Sequence, residues 1–245
     1  MFVLKSLRND TNAVRYEKNM LSSIVALSII LAQKEMIVKR GALIVIEGVD
    51  RTGKTTQAKL LVESLKKRKI QAEYRNFPNR NTEIGKVINS YLTSQKDLPD
   101  EAIHLLFSAN RWEKSRDILD LLEKGTTVIV DRYCYSGVAF SAAKGLDLNW
   151  CKFPDIGLPK PDKVFFLTLP LEVMQQRNGF GNERYEIPEF QKKVIEMYGQ
   201  LKDNDWDIMN ANRTLEVIQE ELFQSTLNVI NTVEHTSIGK LWVKK

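Results

Sequence analysis

Residues 43–55 read LIVIEGVDRTGKT. The run Leu43–Ile46 at their start is continuously apolar, as expected of a strand that is buried on both faces of a parallel sheet. After the glycine-bearing turn, apolar residues recur at helical spacing. They are Ala58, Leu61, Val62 and Leu65. Strand, turn and helix in this order predict the first half of a parallel crossover unit, and so an α/β fold.

The turn itself, residues 48–55, matches the spacing G-x-x-x-x-G-K-[ST]. Its glycines let successive backbone N–H groups close around phosphate oxygens, and the following helix N-terminus adds partial positive charge. We therefore predict that Lys54 bridges the β- and γ-phosphates of a nucleotide and that Thr55 is a ligand of Mg²⁺. The predicted nucleotide contacts in this loop are Gly48, Val49, Asp50, Arg51, Thr52, Gly53, Lys54, Thr55 and Thr56.

Four more strand candidates alternate with helical stretches along the chain. The strands are expected at residues 72–77, 127–130, 164–169 and 206–209, and the helices at residues 82–94, 99–123, 190–201 and 215–230. Such alternation is typical of a parallel sheet with crossover helices. The sequence thus predicts a P-loop NTPase fold, with a five-stranded parallel sheet, helices on both faces and a short lid.

A carboxylate, Asp131, ends the strand predicted at residues 127–130. This is where a phosphate-binding loop has its second partner, which holds the water shell of the metal. Arg132 follows and faces the same crevice at the carboxyl ends of the strands, and its planar guanidinium suits a phosphate. The alternative for Asp131 is a surface salt bridge with a neighbour.

Composition limits the function classes less than the motifs do. The 245 residues are 43% hydrophobic and 27% charged, which is typical of a globular chain and not of a disordered one. The net charge of +5 fits an anionic partner without favouring nucleic acid. The only two cysteines, Cys134 and Cys151, cannot build a disulfide framework, which favours a reducing compartment. The two histidines lie apart from other ligands, so no zinc site is expected.

Residues 1–35 differ from the rest and are interpreted as an N-terminal extension to a single domain at residues 36–245. Their apolar run, residues 21–32, is shorter than the roughly 20 residues that span a bilayer. The extension is either dispensable, with a start at Met36, or a targeting segment. We rank the first interpretation above the second.

Several segments together resemble one family. The chain has no guanine-reading N-K-x-D stretch, which argues against a GTPase. The segments are GVDRTGKTT at 48–56, FPNR at 77–80, LLFSANRW at 105–112 and DRYCYSG at 131–137. Over about residues 41–242 the chain resembles thymidylate kinases of the eukaryotic type. The resemblance implies transfer of the γ-phosphoryl group of ATP to dTMP with Mg²⁺ as cofactor. It also implies a homodimer. Apart from the resemblance, we expect a cytoplasmic protein, with nuclear or mitochondrial presence left open, and no nucleic-acid or stable membrane partner.

The resemblance also implies roles for individual residues. Arg80 and Arg132 would hold the monophosphate of dTMP, while Phe107 would stack on the thymine and Arg111 would donate a hydrogen bond to its carbonyl. Asp50 would bind the 3′-hydroxyl, and Tyr133 would crowd the position of a ribose 2′-hydroxyl. The other implied dTMP contacts are Phe77, Ser136, Gly137 and Tyr185.

The residues implied in catalysis are Arg51, Lys54, Asp131 and Arg132. The segment at about residues 177–186 resembles the lid of the family. Arg177 and Arg184 would touch ATP phosphates, and Tyr185 and Glu186 would approach the acceptor. Two alternatives stay open: a related kinase with another acceptor, and a nucleotide-binding protein without catalysis.

Overall fold

The computed structural model describes residues 20–23, 39–177, 181, 183–203 and 205–243. The sheet lies in the unit Lys39–Lys245. Of the preceding unit, Met1–Val38, one helical stretch at residues 20–23 is described, so most of the apolar run and the expected start at Met36 lie outside the described residues. Within the described part of the chain, no helix is long and apolar enough to cross a membrane.

Among the described residues, five parallel strands form one sheet in the order β2-β3-β1-β4-β5. They are β1 (Leu43–Gly48), β2 (Ala72–Asn76), β3 (Thr127–Asp131), β4 (Lys163–Thr168) and β5 (Trp206–Asn210). Every residue of the central strand β1 is buried, as its apolar run predicts. The predicted five-stranded parallel sheet is therefore confirmed, and all five strands lie where the sequence placed them to within about two residues.

Eight helices are described in the same unit. They are α1 (Lys54–Lys67), α2 (Glu83–Leu92), α3 (Asp100–Glu123), α4 (Cys134–Ala143), α5 (Leu148–Lys152), α6 (Leu171–Gln175), α7 (Pro188–Leu201) and α8 (Leu215–Val233). The sequence did not predict α4, α5 or α6. Almost all residues of α4 are buried, so it lacks the alternation of polar and apolar faces that reveals a helix. The helices α5 and α6 have five residues each, too few to show a period.

Local chemistry explains where several helices begin and end. The hydroxyl of Thr82 accepts from the N–H of Gly85 at 3.0 Å and so caps α2. Gly125, at a φ of 83°, follows α3 and ends it as predicted, because glycine adopts this left-handed conformation without a Cβ clash.

Two groups of helices cover the sheet. The first is α1, which packs on β2 and β3 and against α8, and the second comprises α4 with its neighbours α3 and α7. The loops that follow β1, β2 and β3 open at the carboxyl edge of these strands. Because ligands of open α/β sheets bind at this edge, the site is expected there.

Candidate active site

One cavity of about 560 Å³ lies at the carboxyl ends of β1, β2 and β3. Lys54 of the phosphate-binding loop lines it together with Arg80 and Arg132, so the groups predicted for the two substrates share a single cleft. The predicted residues that line it are Asp50, Arg51, Gly53, Lys54, Thr55, Thr56, Phe77, Arg80, Phe107, Arg111, Asp131, Arg132, Tyr133, Ser136, Gly137, Arg177 and Tyr185.

The loop between β1 and α1 needs both of its glycines. Gly48 has a φ of 142°, and a Cβ on it would lie 2.5 Å from the carbonyl oxygen of Leu167. Gly53 has a φ of 92° immediately before α1. These conformations are strained for other residues, so the glycines allow the loop to turn its amides inward.

Lys54 lies almost buried under this loop, with 5% of its surface exposed. Its Nζ donates to the carbonyl oxygen of Val49 at 2.6 Å. Burial lowers the pKa of the Lys54 ammonium to about 8, and the nearby charge of Arg132 adds to this effect. An anion bound in the loop would therefore meet a cation that water screens little.

Thr55 and Asp131 provide the oxygen atoms of the predicted metal site. The hydroxyl of Thr55 donates to Oδ2 of Asp131, and the hydroxyl of Tyr74 lies 3.3 Å from the same oxygen. Oδ1 of Asp131 is buried and has no hydrogen-bond partner among the described residues. Such an oxygen is costly to bury alone, and hydroxyl and carboxylate oxygens are the ligands that Mg²⁺ prefers. The residues present thus fit Mg²⁺.

Arg132 joins the loop after β3 to the phosphate-binding loop. Its Nη2 donates to Oδ1 of Asp50, and its Nη1 donates to the Gly48 carbonyl at 3.0 Å and to Oγ of Ser136 at 2.9 Å. Burial would raise the pKa of the Asp50 carboxyl, but the charges of Arg132 and Lys54 hold it below its ordinary value. The guanidinium is therefore fixed against the phosphate-binding loop.

Carboxylates of the predicted lid hold two further arginines. Glu183 accepts from Nη2 of Arg80 at 2.7 Å, and Glu186 accepts from Nε of Arg51 at 2.7 Å. Arg177 donates to the carbonyl oxygen of Arg51 at 2.6 Å. The described part of the lid thus contacts both the phosphate-binding loop and the loop after β2.

Arg184 lies elsewhere than the other predicted phosphate-binding residues. Its guanidinium stacks 4.1 Å from the ring centroid of Tyr91 and pairs with Asp97 at 2.5 Å, in the region that connects α2 to α3. It does not line the cavity. Of the other predicted contacts, Gly48, Val49 and Thr52 form the loop itself without lining the cavity.

The predicted base-binding residues lie on α3. Phe107 and Arg111, one helical turn apart, both line the cavity. Tyr133 also lines it, with its ring centroid 5.8 Å from that of Phe77, but its hydroxyl donates to the carbonyl of Pro159 at 3.2 Å. The hydroxyl of Tyr133 is therefore engaged with the loop that precedes β4.

Sequence reasoning missed several residues of the site. Phe140 lines the cavity and lies 5.3 Å below the guanidinium of Arg132. Gln191 donates to Oδ2 of Asp50 at 2.8 Å. Neither residue stands in a motif, so the sequence contains no signal for its position.

Among the missed residues, Glu47 is one that the sequence could have indicated. It is an acidic residue at the end of the apolar run of β1, and it is fully buried. Its carboxylate accepts from the N–H groups of Tyr133 at 2.9 Å and Ser136 at 3.1 Å, and from the Tyr198 hydroxyl at 2.9 Å. Glu47 therefore ties β1 to the loop that presents Arg132.

Known proteins resemble this chain over most of its length. The family model described as thymidylate kinase matches residues 46–222. Human thymidylate kinase is 47% identical over 211 residues, which cover 84% of this chain and 100% of that protein. Thymidylate kinase of Arabidopsis thaliana is 48% identical over 204 residues, which cover 83% of this chain and 78% of that protein.

A solved structure agrees with this match. The structure of thymidylate kinase from Candida albicans superposes with a TM-score of 0.75 at 40% identity, and the match covers 82% of this chain and 98% of that one. The cavity at the carboxyl edge, the phosphate-binding loop and these similarities lead to one conclusion. The chain belongs to the thymidylate kinase family and is a phosphotransferase that acts on a nucleoside monophosphate.

Proposed function

We propose that the cavity binds ATP and dTMP together and transfers the γ-phosphoryl group of ATP to the 5′-phosphate of dTMP, which gives dTDP and ADP. The observation that carries this proposal is the shared cleft: Lys54 lines it together with Arg80 and Arg132. Two polyanions approach each other only if cations neutralise both, and this cavity offers cations on both sides.

On the donor side, the loop amides and Lys54 hold the β- and γ-phosphates. A phosphate oxygen of dTMP attacks the γ-phosphorus while the bond from that phosphorus to the β–γ bridging oxygen breaks, and ADP leaves. The transition state is loose, so the protein contributes position and charge and no covalent intermediate. Arg51, which lies in the loop and lines the cavity, supplies positive charge to the transferring group.

On the acceptor side, Arg80 and Arg132 bind the monophosphate through planar, multiply donating guanidinium groups. Phe107 stacks on the thymine, and Arg111 donates to its carbonyl. Asp50 binds the 3′-hydroxyl of the sugar. The buried ring of Tyr133 crowds the 2′ position, which favours a deoxyribose.

The metal site is proposed from the oxygen donors of Thr55 and Asp131. Thr55 and Asp131 would hold Mg²⁺ there, and the ion would supply positive charge to the phosphates of ATP. Asp131 holds its place through the hydroxyls of Thr55 and Tyr74, which leaves Oδ1 for the metal or its water shell.

The lid has a role in water exclusion. Arg177 and Glu186 connect it to Arg51 in the loop, and Glu183 connects it to Arg80. A segment that spans both substrates keeps water away from the γ-phosphate and so suppresses hydrolysis of ATP. Arg184, in its observed position, acts by fixing the lid to α2 and to the segment that connects α2 to α3.

A coupled assay with ATP, Mg²⁺ and a panel of acceptors tests the proposal. The panel comprises dTMP, dUMP, dCMP, dAMP, dGMP and thymidine, because the Candida albicans enzyme is described as having broad substrate specificity. We expect the highest kcat/KM with dTMP and no turnover of thymidine, which lacks the phosphate that Arg80 and Arg132 would bind. Preference for another monophosphate, or binding of dTMP without turnover, would contradict the proposal.

A matched pair of variants completes this test. Lys54→Met removes the buried ammonium from the cavity and should abolish turnover. Arg116→Ala removes an equally cationic side chain that is 77% exposed on α3 and pairs with Asp120. It should turn over dTMP like the unmodified protein, so a similar loss in both variants would show that net charge, and not the site, explains the effect.

The assembly and the compartment are also proposed. Leu105 and Trp112 on α3 expose 47% and 41% of their surfaces. Phe153 exposes 63%, and it precedes Pro154, whose carbonyl accepts from Nε1 of Trp112 at 2.6 Å. We propose that a second copy of the chain covers this apolar surface, as in the homodimer that the sequence implied. Sedimentation velocity of Trp112→Glu should then show a lower mass than that of the unmodified protein.

The two cysteines are free and buried, which supports a reducing compartment such as the cytoplasm.

A further inference from the structure

A buried carboxylate holds Arg111 through a two-point contact. Its side chain is 2% exposed, and it pairs with the fully buried Asp155. Nε donates to Oδ1 of Asp155 at 3.0 Å and Nη2 donates to Oδ2 at 2.6 Å, a two-point contact that fixes the plane of the guanidinium. Asp155 is itself fixed, because Ser108 donates to its Oδ1 at 2.7 Å.

One edge of the same guanidinium remains available. Nη1 of Arg111 has no hydrogen-bond partner among the described residues, and Arg111 lines the cavity. The contact with Asp155 therefore leaves a donor in a defined direction at the cavity wall.

Gly137 on α4 makes room for this arrangement. A Cβ at position 137 would lie 2.9 Å from both Nη1 and Nη2 of Arg111 and 3.2 Å from its Cζ. These are the nearest described atoms to that Cβ outside the neighbouring backbone of the helix, and Gly137 lies within a helix, where glycine is otherwise less favourable than alanine. The glycine is thus explained by the guanidinium that it faces.

We infer that Asp155 and Gly137 are positioning residues, which fix the guanidinium of Arg111 so that its Nη1 keeps one orientation toward the base. The inference rests on the proposed function, in which Arg111 meets the base. Because the donor of Arg111 is fixed in direction, an amino group at C4 of the base would face another donor and would lack an acceptor. A buried donor without an acceptor is destabilising by more than one hydrogen bond contributes.

The pair Gly137→Ala and Gly199→Ala tests the inference. Gly199 lies in α7, and a Cβ added to it would meet no described atom within 4 Å outside its chain neighbours and the nearby backbone of its own helix. Both variants thus add one methyl group to a helix. In Gly137→Ala the KM for dTMP should rise roughly tenfold or more, while kcat and the KM for ATP stay within about twofold. Its preference for dTMP over 5-methyl-dCMP, which carries an amino group at C4, should fall by a similar factor. Gly199→Ala should change none of these values.

Asp155→Asn and a double variant distinguish a loss of Arg111 positioning from a direct steric effect of the added methyl group. Asp155 does not line the cavity, yet Asp155→Asn should show the same loss of preference as Gly137→Ala. In the background of Arg111→Ala, the further change Gly137→Ala should have no effect, because it acts through the guanidinium. If Asp155→Asn does not fold, the double variant decides.

The outcomes also separate the inference from the proposed function. If the unmodified protein does not phosphorylate dTMP, the proposed function fails. If it does, and Gly137→Ala keeps the preference for dTMP or still weakens binding without Arg111, the inference alone is overturned.

Discussion

The carboxylate of Glu186 accepts a hydrogen bond from Nε of Arg51 at 2.7 Å, and this contact ties the lid to the phosphate-binding loop. Glu186 is 7% exposed, and Arg51 adopts a φ of 62°. Burial of the carboxylate strengthens a charge-assisted hydrogen bond, and the bond raises the pKa of the Arg51 guanidinium. Arg51 is therefore held by its side chain as well as by the turn of its backbone.

The first prediction concerns Arg51 itself. Arg51→Ala should lower kcat by about 10³-fold, because an arginine that neutralises the transferring phosphoryl group contributes on the order of 10³ to 10⁵ in rate. ATP binding, measured by titration calorimetry, should weaken far less, since the loop amides and Lys54 remain. Equal losses in kcat and in ATP affinity would remove the catalytic role of Arg51.

The second prediction concerns the partner of Arg51 in the lid. Glu186→Gln keeps the shape of the side chain but removes its charge, so the guanidinium should lose its orientation, and kcat should fall roughly tenfold. In the Arg51→Ala background the same change should have little further effect, because the two residues act as one unit. Additive losses in single-turnover measurements would instead show that Glu186 acts independently of Arg51.

The third prediction concerns the acceptor. Arg80 reaches the cavity from the loop after β2 and pairs with Asn89 at 2.9 Å and Glu183 at 2.7 Å. Arg80→Ala should raise the KM for dTMP by roughly 10- to 100-fold, because a charge-assisted contact to the monophosphate is lost. The KM for ATP should change little. An unchanged KM for dTMP would place the acceptor elsewhere in the cavity.

The sequence predicted those parts of the site that lie within one continuous segment of the chain. The loop of residues 48–55 needs only its own glycines and the strand and helix beside it. Asp131 followed from the rule that parallel strands end at one edge, and its register opposite Ile46 places it beside the loop. Glu47, Gln191 and Asp155 were missed because their roles depend on partners distant in sequence. The bond between Arg111 and Asp155 spans 44 residues.

The position of Arg184 also depends on contacts that are distant in sequence. Its place in a glycine-bearing, polar segment agreed with a phosphate ligand, but the direction of a side chain on a lid is set by tertiary contacts. Here Tyr91 offers an aromatic face at 4.1 Å and Asp97 a carboxylate at 2.5 Å, and these hold the guanidinium away from the loop.

The fourth prediction concerns Mg²⁺. Asp131→Asn replaces the unpartnered Oδ1 and its charge by a neutral amide, so the Mg²⁺ concentration for half-maximal activity should rise roughly 10- to 100-fold. Asp207→Asn is the matched control, because Asp207 pairs with Lys163 and does not line the cavity. If Asp131→Asn lowers the maximal rate without moving the Mg²⁺ dependence, the carboxylate does not hold the metal.

The fifth prediction concerns the pH dependence of stability, which depends on the buried His104. Its Nε2 donates to the carbonyl of Cys151 at 2.9 Å, so in the neutral ring its Nδ1 accepts from the hydroxyl of Ser141, which lies 2.8 Å away. Burial, with repulsion from Arg111 as the second cause, lowers the pKa of His104 in the folded chain. The imidazole therefore gains its proton more readily in the unfolded chain.

The sign of the effect follows from this difference. Below the unfolded pKa of about 6.5 the unfolded chain binds more protons, so the free energy of unfolding falls as the pH falls, whereas above about pH 7 both states are neutral and His104 has no effect. Urea unfolding of His104→Gln between about pH 7 and pH 5 should show a shallower loss of stability than the unmodified protein, whatever its stability at pH 7. His235→Gln replaces an exposed imidazole and should keep the steeper slope. Equal slopes in His104→Gln and the unmodified protein would mean that the acid sensitivity arises from other groups.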